Sequence, residues 1–193
     1  MIGISKGVGL TPNPNSPPKT IVDRRGIIWK FAYLAVAGGV FMIDQTTKAW
    51  AVRSLRFGGG RSVIGGFLNL AYAENPGVAF SMLDSHGDAG RWGLSVVACI
   101  AAVLVMYFFW RTPRYDDRIL GALALLLAGI AGNVTDRLRL GFVVDFIDVQ
   151  FGSWHYPTFN VADAAICIGA GLLMIDLFLS KKKAAQQKTE AVT

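Results

Sequence analysis

"GLSVVACIAAVLVMYFFW", residues 93–110, decides the fold class. It holds no charge, and Arg91 and Arg111 stand just outside its ends. A helix of a soluble four-helix bundle would show a polar face every 3.6 residues, and this stretch shows none. It has the length of a membrane span, because a helix rising about 1.5 Å per residue needs roughly 20 residues to cross a roughly 30 Å hydrocarbon core. Working outward, three further apolar runs predict spans, giving four at about 27–45, 92–110, 118–136 and 160–179. Lys30 interrupts the first and can snorkel to the headgroups. The composition agrees: 53% of the 193 residues are hydrophobic, above the roughly 45–50% of an ordinary soluble domain. Mean hydropathy is +0.44.

Charge sets the expected orientation. With both termini in the cytoplasm, twelve of the nineteen basic residues lie inside, and "SKKK" at 180–183 follows the last span directly. The net charge of +6 therefore reads as topology and attraction to anionic lipid. The basic residues are scattered over loops without a groove or motif, which leaves a nucleic-acid partner without support. Cys99 and Cys167 fall within spans and read as small buried hydrophobes.

Residues 1–25 should form a disordered cytoplasmic tail and 181–193 a basic one, flanking a single membrane domain over 26–180. "AWA" at 49–51 looks like a signal-peptide cleavage site, but Asp44 and Lys48 separate it from an apolar run that is too long for an h-region. About 45 residues join the first two spans, long enough to be structured. Within them "FLNLAYAE", 67–74, predicts a short strand or two, and "NPGVAF", 75–80, a turn. "FVVDFIDVQF", 142–151, predicts an extended or short helical segment at the membrane surface before the fourth span. The fold class is thus an all-α membrane protein of four transmembrane helices with a small extracytoplasmic β/loop region.

In this topology the polar residues gather at one leaflet. The first span ends at Asp44, the third at Asn133, Asp136 and Arg137, and the fourth begins with Asn160 and Asp163. Asn133, Asp136 and Arg137 share a helix face, as do Asn160 and Asp163. Ionisable groups at membrane depth cost of order 3 kcal/mol each, so their clustering calls for a function. Asp44 with Lys48, and Asp136 with Arg137, can be read as ion pairs at helix ends, and Asp176 as a snorkelling or paired residue at the inner end. His86 and His155 lie in loops without the acid–histidine spacing of a metal site. Asp145 and Asp163 have no adjacent basic partner.

Two carboxylates in a low-dielectric site cannot both ionise cheaply, so the pair holds a proton and can act as base and acid together. That is the chemistry of an aspartyl peptidase. There is no G-x-S-x-G elbow to supply a serine nucleophile, and both cysteines are mid-span. Spacing alone leaves a small ion-coupled transporter, or a non-catalytic lipid-binding membrane protein, as the alternative. The absence of an internal repeat, and acids at one face instead of the midplane, count against a transporter.

"DQTTK" (44–48), "NPGVAF" (75–80), "GNVTDR" (132–137), "GFVVDF" (141–146) and "FNVAD" (159–163) together resemble, in order, the bacterial lipoprotein signal peptidases of type II. The resemblance covers roughly residues 27–180. It implies an inner-membrane aspartyl endopeptidase, without metal or cofactor, that cleaves prolipoproteins just before a diacylglyceryl-modified cysteine. Asp145 and Asp163 match the catalytic dyad, with Asp136 the rival for the first place. Asp44, Asn75, Asn133, Arg137 and Asn160 match polar positions around the active site, and Gly77 and Gly132 would permit close backbone approach. The resemblance further implies an active site on the periplasmic side, an outer loop that clamps the substrate, and binding of a globomycin-type inhibitor.

Overall fold

The computed structural model describes residues 24–77 and 88–190. Four helices, α1 (Arg24–Leu55), α2 (Asp88–Arg111), α3 (Asp117–Arg139) and α4 (Val161–Glu190), and four strands, β1 (Arg61–Ile64), β2 (Leu68–Asn75), β3 (Val143–Phe151) and β4 (Trp154–His155), follow in the order α1-β1-β2-α2-α3-β3-β4-α4. Segments Arg91–Arg111, Asp117–Arg139 and Val161–Lys181 are long and apolar enough to cross a membrane. Half of the α3 segment is buried, against 11% in α2 and 17% in α4, because α3 packs against the other three helices. Glycines on both sides of its contact with α4 allow this. A Cβ on Gly129 would run into the Ala162 backbone carbonyl, and one on Gly169 would stand 2.7 Å from the carbonyl of Ala122. On α2, Val96, Val97, Ile100, Val103 and Leu104 point outward, an apolar surface too large for a water-soluble monomer.

Several expectations need correction. α1 does not stop near residue 45 but continues to Leu55, so "DQTTK" lies inside the helix. Its apolar run is bounded by Lys30 and Asp44, both buried, and it is not among the three membrane-length apolar segments. Lys30 does not snorkel. Its Nζ donates to the Trp110 carbonyl at 2.6 Å, satisfying an end of α2 that has no helical N–H partner. Cys99 and Cys167 are exposed rather than buried, because they fall on the outward faces of their helices. α4 stays helical beyond the expected end at 179, to Glu190. Residues 1–23, and Val78 to Phe80 of the "NPGVAF" motif, lie outside the described residues.

Residues 142–151 are extended, one of the two expected forms, but the correction is their place: Val143 to Phe146 are buried in an inner strand instead of lying at the surface. β3 is the longest strand of a four-stranded antiparallel sheet of order β1-β2-β3-β4, and Val143 to Phe146 are all buried. β2 pairs along it with Asn69 opposite Asp148 and Ala73 opposite Asp145. Side chains alternate across a strand, so Val144 and Phe146 join a cluster with Ala51 and Leu55 of α1. Asp145, between them, points to the opposite face. The β-branched, aromatic composition of β3 suits a strand covered on both sides.

Candidate active site

The site is built where β3 meets the start of α4. Phe159 lies against the edge of β3, its N–H donating to the Ile147 carbonyl at 3.0 Å and its carbonyl accepting from Ile147 N–H at 2.9 Å. This fixes Asn160 beside Asp145. Asn160 and Asp163 then cap α4 reciprocally: the Asn160 side-chain oxygen accepts from Asp163 N–H at 2.9 Å, and Asp163 Oδ2 accepts from Asn160 N–H at 3.2 Å. That is the logic of a capping box, in which the third helical residue reaches back to the cap. The spacing of the two residues is therefore a local requirement of the helix start as well as a feature of the site.

Asn160 also reaches out of the cap. Its Nδ2 donates to Asp145 Oδ1 at 2.7 Å, so one fully buried residue bonds both candidate catalytic carboxyls, Asp145 through its side chain and Asp163 through its backbone N–H. Asn75, at the end of β2, donates to Asp145 Oδ2 at 3.0 Å and accepts from Gly77 N–H at 3.0 Å. Gly77 has φ +89°, a conformation glycine adopts readily, and a Cβ there would strike Leu94. Asn133 of α3 donates to Asp163 Oδ1 at 2.7 Å. Every carboxyl oxygen of Asp145 and Asp163 thus accepts an amide hydrogen. Asp145 is 2% exposed, and burial is the main reason its carboxyl is pushed up to about 6. Hydrogen bonds from Asn75 and Asn160 and the charge of Lys48 pull it down, while the charge of Asp163 adds to the rise.

Asp136, the sequence rival, belongs to a separate network. It does not form the expected pair with Arg137; Lys48 Nζ stands 2.9 Å from Asp136 and 2.9 Å from Asp44, and donates to Asn133 at 3.0 Å. The Asp44–Lys48 pair is present as the sequence suggested, and Asp176 pairs with Arg118 at 3.1 Å. Gln45 adds bonds of 3.1 Å to each acid, and backbone N–H groups of Ala162 and Val144 donate to Asp44 and Asp136 at 2.9 and 3.2 Å. Charges this deeply buried persist only when paired and hydrogen-bonded, and this network meets that condition. Gly132 makes room, since a Cβ there would sit 2.5 Å from Asp44 Oδ2.

Three residues escaped the sequence reading. Lys48 reads in the sequence as the i+4 partner of Asp44, and Gln45 lies within the "DQTTK" motif without a role assigned to it there. Arg91 of α2 donates to the carbonyls of Arg137 and Leu138 at 2.8 and 2.9 Å, closing the C-terminal end of α3. Arg137 is half-buried beside Asp163 and Asp145, and its Nε is buried without a partner among the described residues. The site therefore combines two carboxyls braced by amides with one guanidinium that has a donor to spare.

A family model described as signal peptidase (SPase) II matches residues 36–179. Curated lipoprotein signal peptidases are similar throughout: that of Serratia proteamaculans is 42% identical over 154 residues, covering 78% of this chain and 89% of the relative. That of Vibrio cholerae is 37% identical over 167 residues, covering 86% and 95%. A solved bacterial membrane enzyme structure superposes with a TM-score of 0.70 at 32% identity, covering 79% of this chain and 90% of the other. A second gives 0.68 at 33%, covering 76% and 92%. The sequence motifs, the fold and these likenesses agree, and the chain belongs to the signal peptidase II family of lipoprotein signal peptidases.

Proposed function

We propose that this peptidase cleaves prolipoproteins before a diacylglyceryl-modified cysteine, with Asp145 and Asp163 as its catalytic dyad. The observation that carries the assignment is Asn160, whose one residue hydrogen-bonds both carboxyls at the outer end of α4. Asp136 is the weaker candidate because Lys48, Gln45 and the Val144 N–H occupy its oxygens. Asp163, the more accessible member, takes a proton from the attacking water, while Asp145 gives its proton to the scissile carbonyl oxygen. The resulting gem-diol collapses as the C–N bond breaks, the amine leaving with a proton from Asp163 and a hydroxyl proton returning to Asp145. The spare Nε of Arg137 is suited to holding a substrate carbonyl.

The reading includes a topology of four spans, α1 being the fourth. Its 32 residues exceed the roughly 20 a span needs, and burying Lys30 and Asp44 against other helices removes their cost in lipid. Both termini then lie in the cytoplasm, the chain in the bacterial inner membrane, and the dyad and sheet on the periplasmic side, where a lipid-anchored cysteine would present its peptide bond. A globomycin-type inhibitor would bind near the dyad. Family membership favours the peptidase over an ion-coupled transporter or a non-catalytic lipid-binding protein.

The test is purified protein in detergent with a diacylglyceryl-modified prolipoprotein, wild type beside Asp163→Asn, read as a shift on a gel. Cleavage by wild type alone is expected. Equal cleavage by both would sink the dyad assignment, and cleavage by neither, under conditions where a relative is active, would sink the substrate.

A further inference from the structure

A cavity of about 190 Å³ opens between the C-terminal turns of α1 and α3, and neither Asp145 nor Asp163 lines it. Its deep end is the buried ion pair of Lys48 and Asp136. Val52, Leu140 and Val144 are among its apolar walls, and the exposed Arg53 and Arg139 line it as well. Neither arginine makes an ion pair or hydrogen bond among the described residues, although both belong to the last turn of a helix, where cations commonly cap carbonyls. At α3 that role is taken, since Arg91 and the N–H groups of Leu140 and Gly141 already serve the carbonyls of Asp136, Arg137 and Leu138. Among the described residues, the acids at the cavity's deep end are already paired. Both oxygens of Asp136 and both of Asp44 are engaged by Lys48, Gln45 and backbone N–H groups.

Two guanidinium groups without counterions beside an apolar-walled cavity call for an anion that brings hydrocarbon with it. We propose that this cavity binds the phosphate of an anionic membrane phospholipid through Arg53 and Arg139. The forked donors of arginine match phosphate oxygens, and the four-span topology proposed above puts both residues at the outer headgroup level. The bound lipid would tie the end of α1 to the end of α3, the two helices that carry Lys48 and Asp136. It is separate from the substrate, whose reacting bond belongs at the dyad.

The experiment is native mass spectrometry of the full chain in detergent with phosphatidylglycerol, neutral diacylglycerol or inorganic phosphate, for wild type, R53Q/R139Q and D163N. Wild type and D163N should retain phosphatidylglycerol in preference to diacylglycerol, and R53Q/R139Q should bind it about tenfold more weakly. D163N separates this claim from the dyad, because lipid binding should survive there while cleavage is lost. Cleavage by R53Q/R139Q in lipid-free detergent should match wild type, showing that the variant is folded. Equal phosphatidylglycerol retention by wild type and R53Q/R139Q would overturn the site, and inorganic phosphate displacing the lipid fully at equal concentration would overturn its assignment to a lipid.

Discussion

Asn160 stands 2.7 Å from Asp145 through the amide nitrogen of a side chain whose oxygen caps the helix carrying Asp163. Strand and helix are thereby joined at the two carboxyls. Asn160→Ala removes the brace from the Asp145 carboxyl and the cap from the Asp163 backbone N–H, and exposes Asp145 to a cavity in a fully buried position. Leaving buried groups unsatisfied costs about 1–3 kcal/mol. The expected outcome is a loss of that size in detergent unfolding together with a fall of about 10²-fold or more in kcat, and unchanged kcat would remove Asn160 from the catalytic argument.

Each dyad member is expected to be indispensable by itself. General acid and base groups contribute roughly 10²–10⁴-fold, and two carboxyls acting on one proton inventory leave little when either becomes an amide. Asp145→Asn and Asp163→Asn should therefore each reduce prolipoprotein cleavage by about 10³-fold or more while the protein stays inserted, checked by gel shift and membrane fractionation. Asp136→Asn should differ in kind, lowering stability at least as much as turnover.

The pH dependence has a defined sign. Asp145 is pushed up to about 6, chiefly by burial, so it holds its proton below that pH and loses it above. As the proposed acid of the dyad it makes kcat/KM fall as pH rises through that region. The hydrogen bond from Asn75 pulls Asp145 down, so Asn75→Ala should move this limb of the profile to higher pH. A profile measured on a soluble lipopeptide substrate checks it, and movement toward lower pH would contradict the assignment.

Lys48 is the linchpin of the buried ionic network. Removing one partner of a buried pair leaves an uncompensated charge and costs about 3–5 kcal/mol. Lys48→Met should accordingly lose more stability than the triple replacement Asp44→Asn, Lys48→Met, Asp136→Asn, in which no buried charge is left unpaired. Thermal unfolding of the set in one detergent decides the order.

At the contact of α3 and α4 the tolerance is steric. Gly129→Ala would drive a methyl group into the Ala162 carbonyl and to 2.6 Å from Ile166, and overpacking of this kind costs about 1–3 kcal/mol. Because Ala162 adjoins Asp163, activity should fall along with stability; Gly171→Ala, which has open space, should change neither.

The sequence by itself determined what local pattern can carry. Long apolar runs specify the helices of residues 91–111, 117–139 and 161–181, and in the first of them the run has no polar stripe at all, which only a lipid-facing or core helix can dispense with. The Asn133–Arg137 spacing specifies a shared helix face and the Asn160–Asp163 spacing a helix cap with its third helical residue, because both geometries are properties of neighbours in the chain. Tertiary structure decided the rest. That residues 143–151 form an inner strand depends on β2 and Phe159 pairing at its two edges, and periodicity within the segment does not encode a partner. Asp136 pairs with Lys48 instead of its neighbour Arg137 because α1 and α3 pack closely at Gly132. Asn75 meets Asp145 across 70 residues of chain, and Asp44 meets Ala162 across 118, contacts fixed only once helices and sheet have closed on one another.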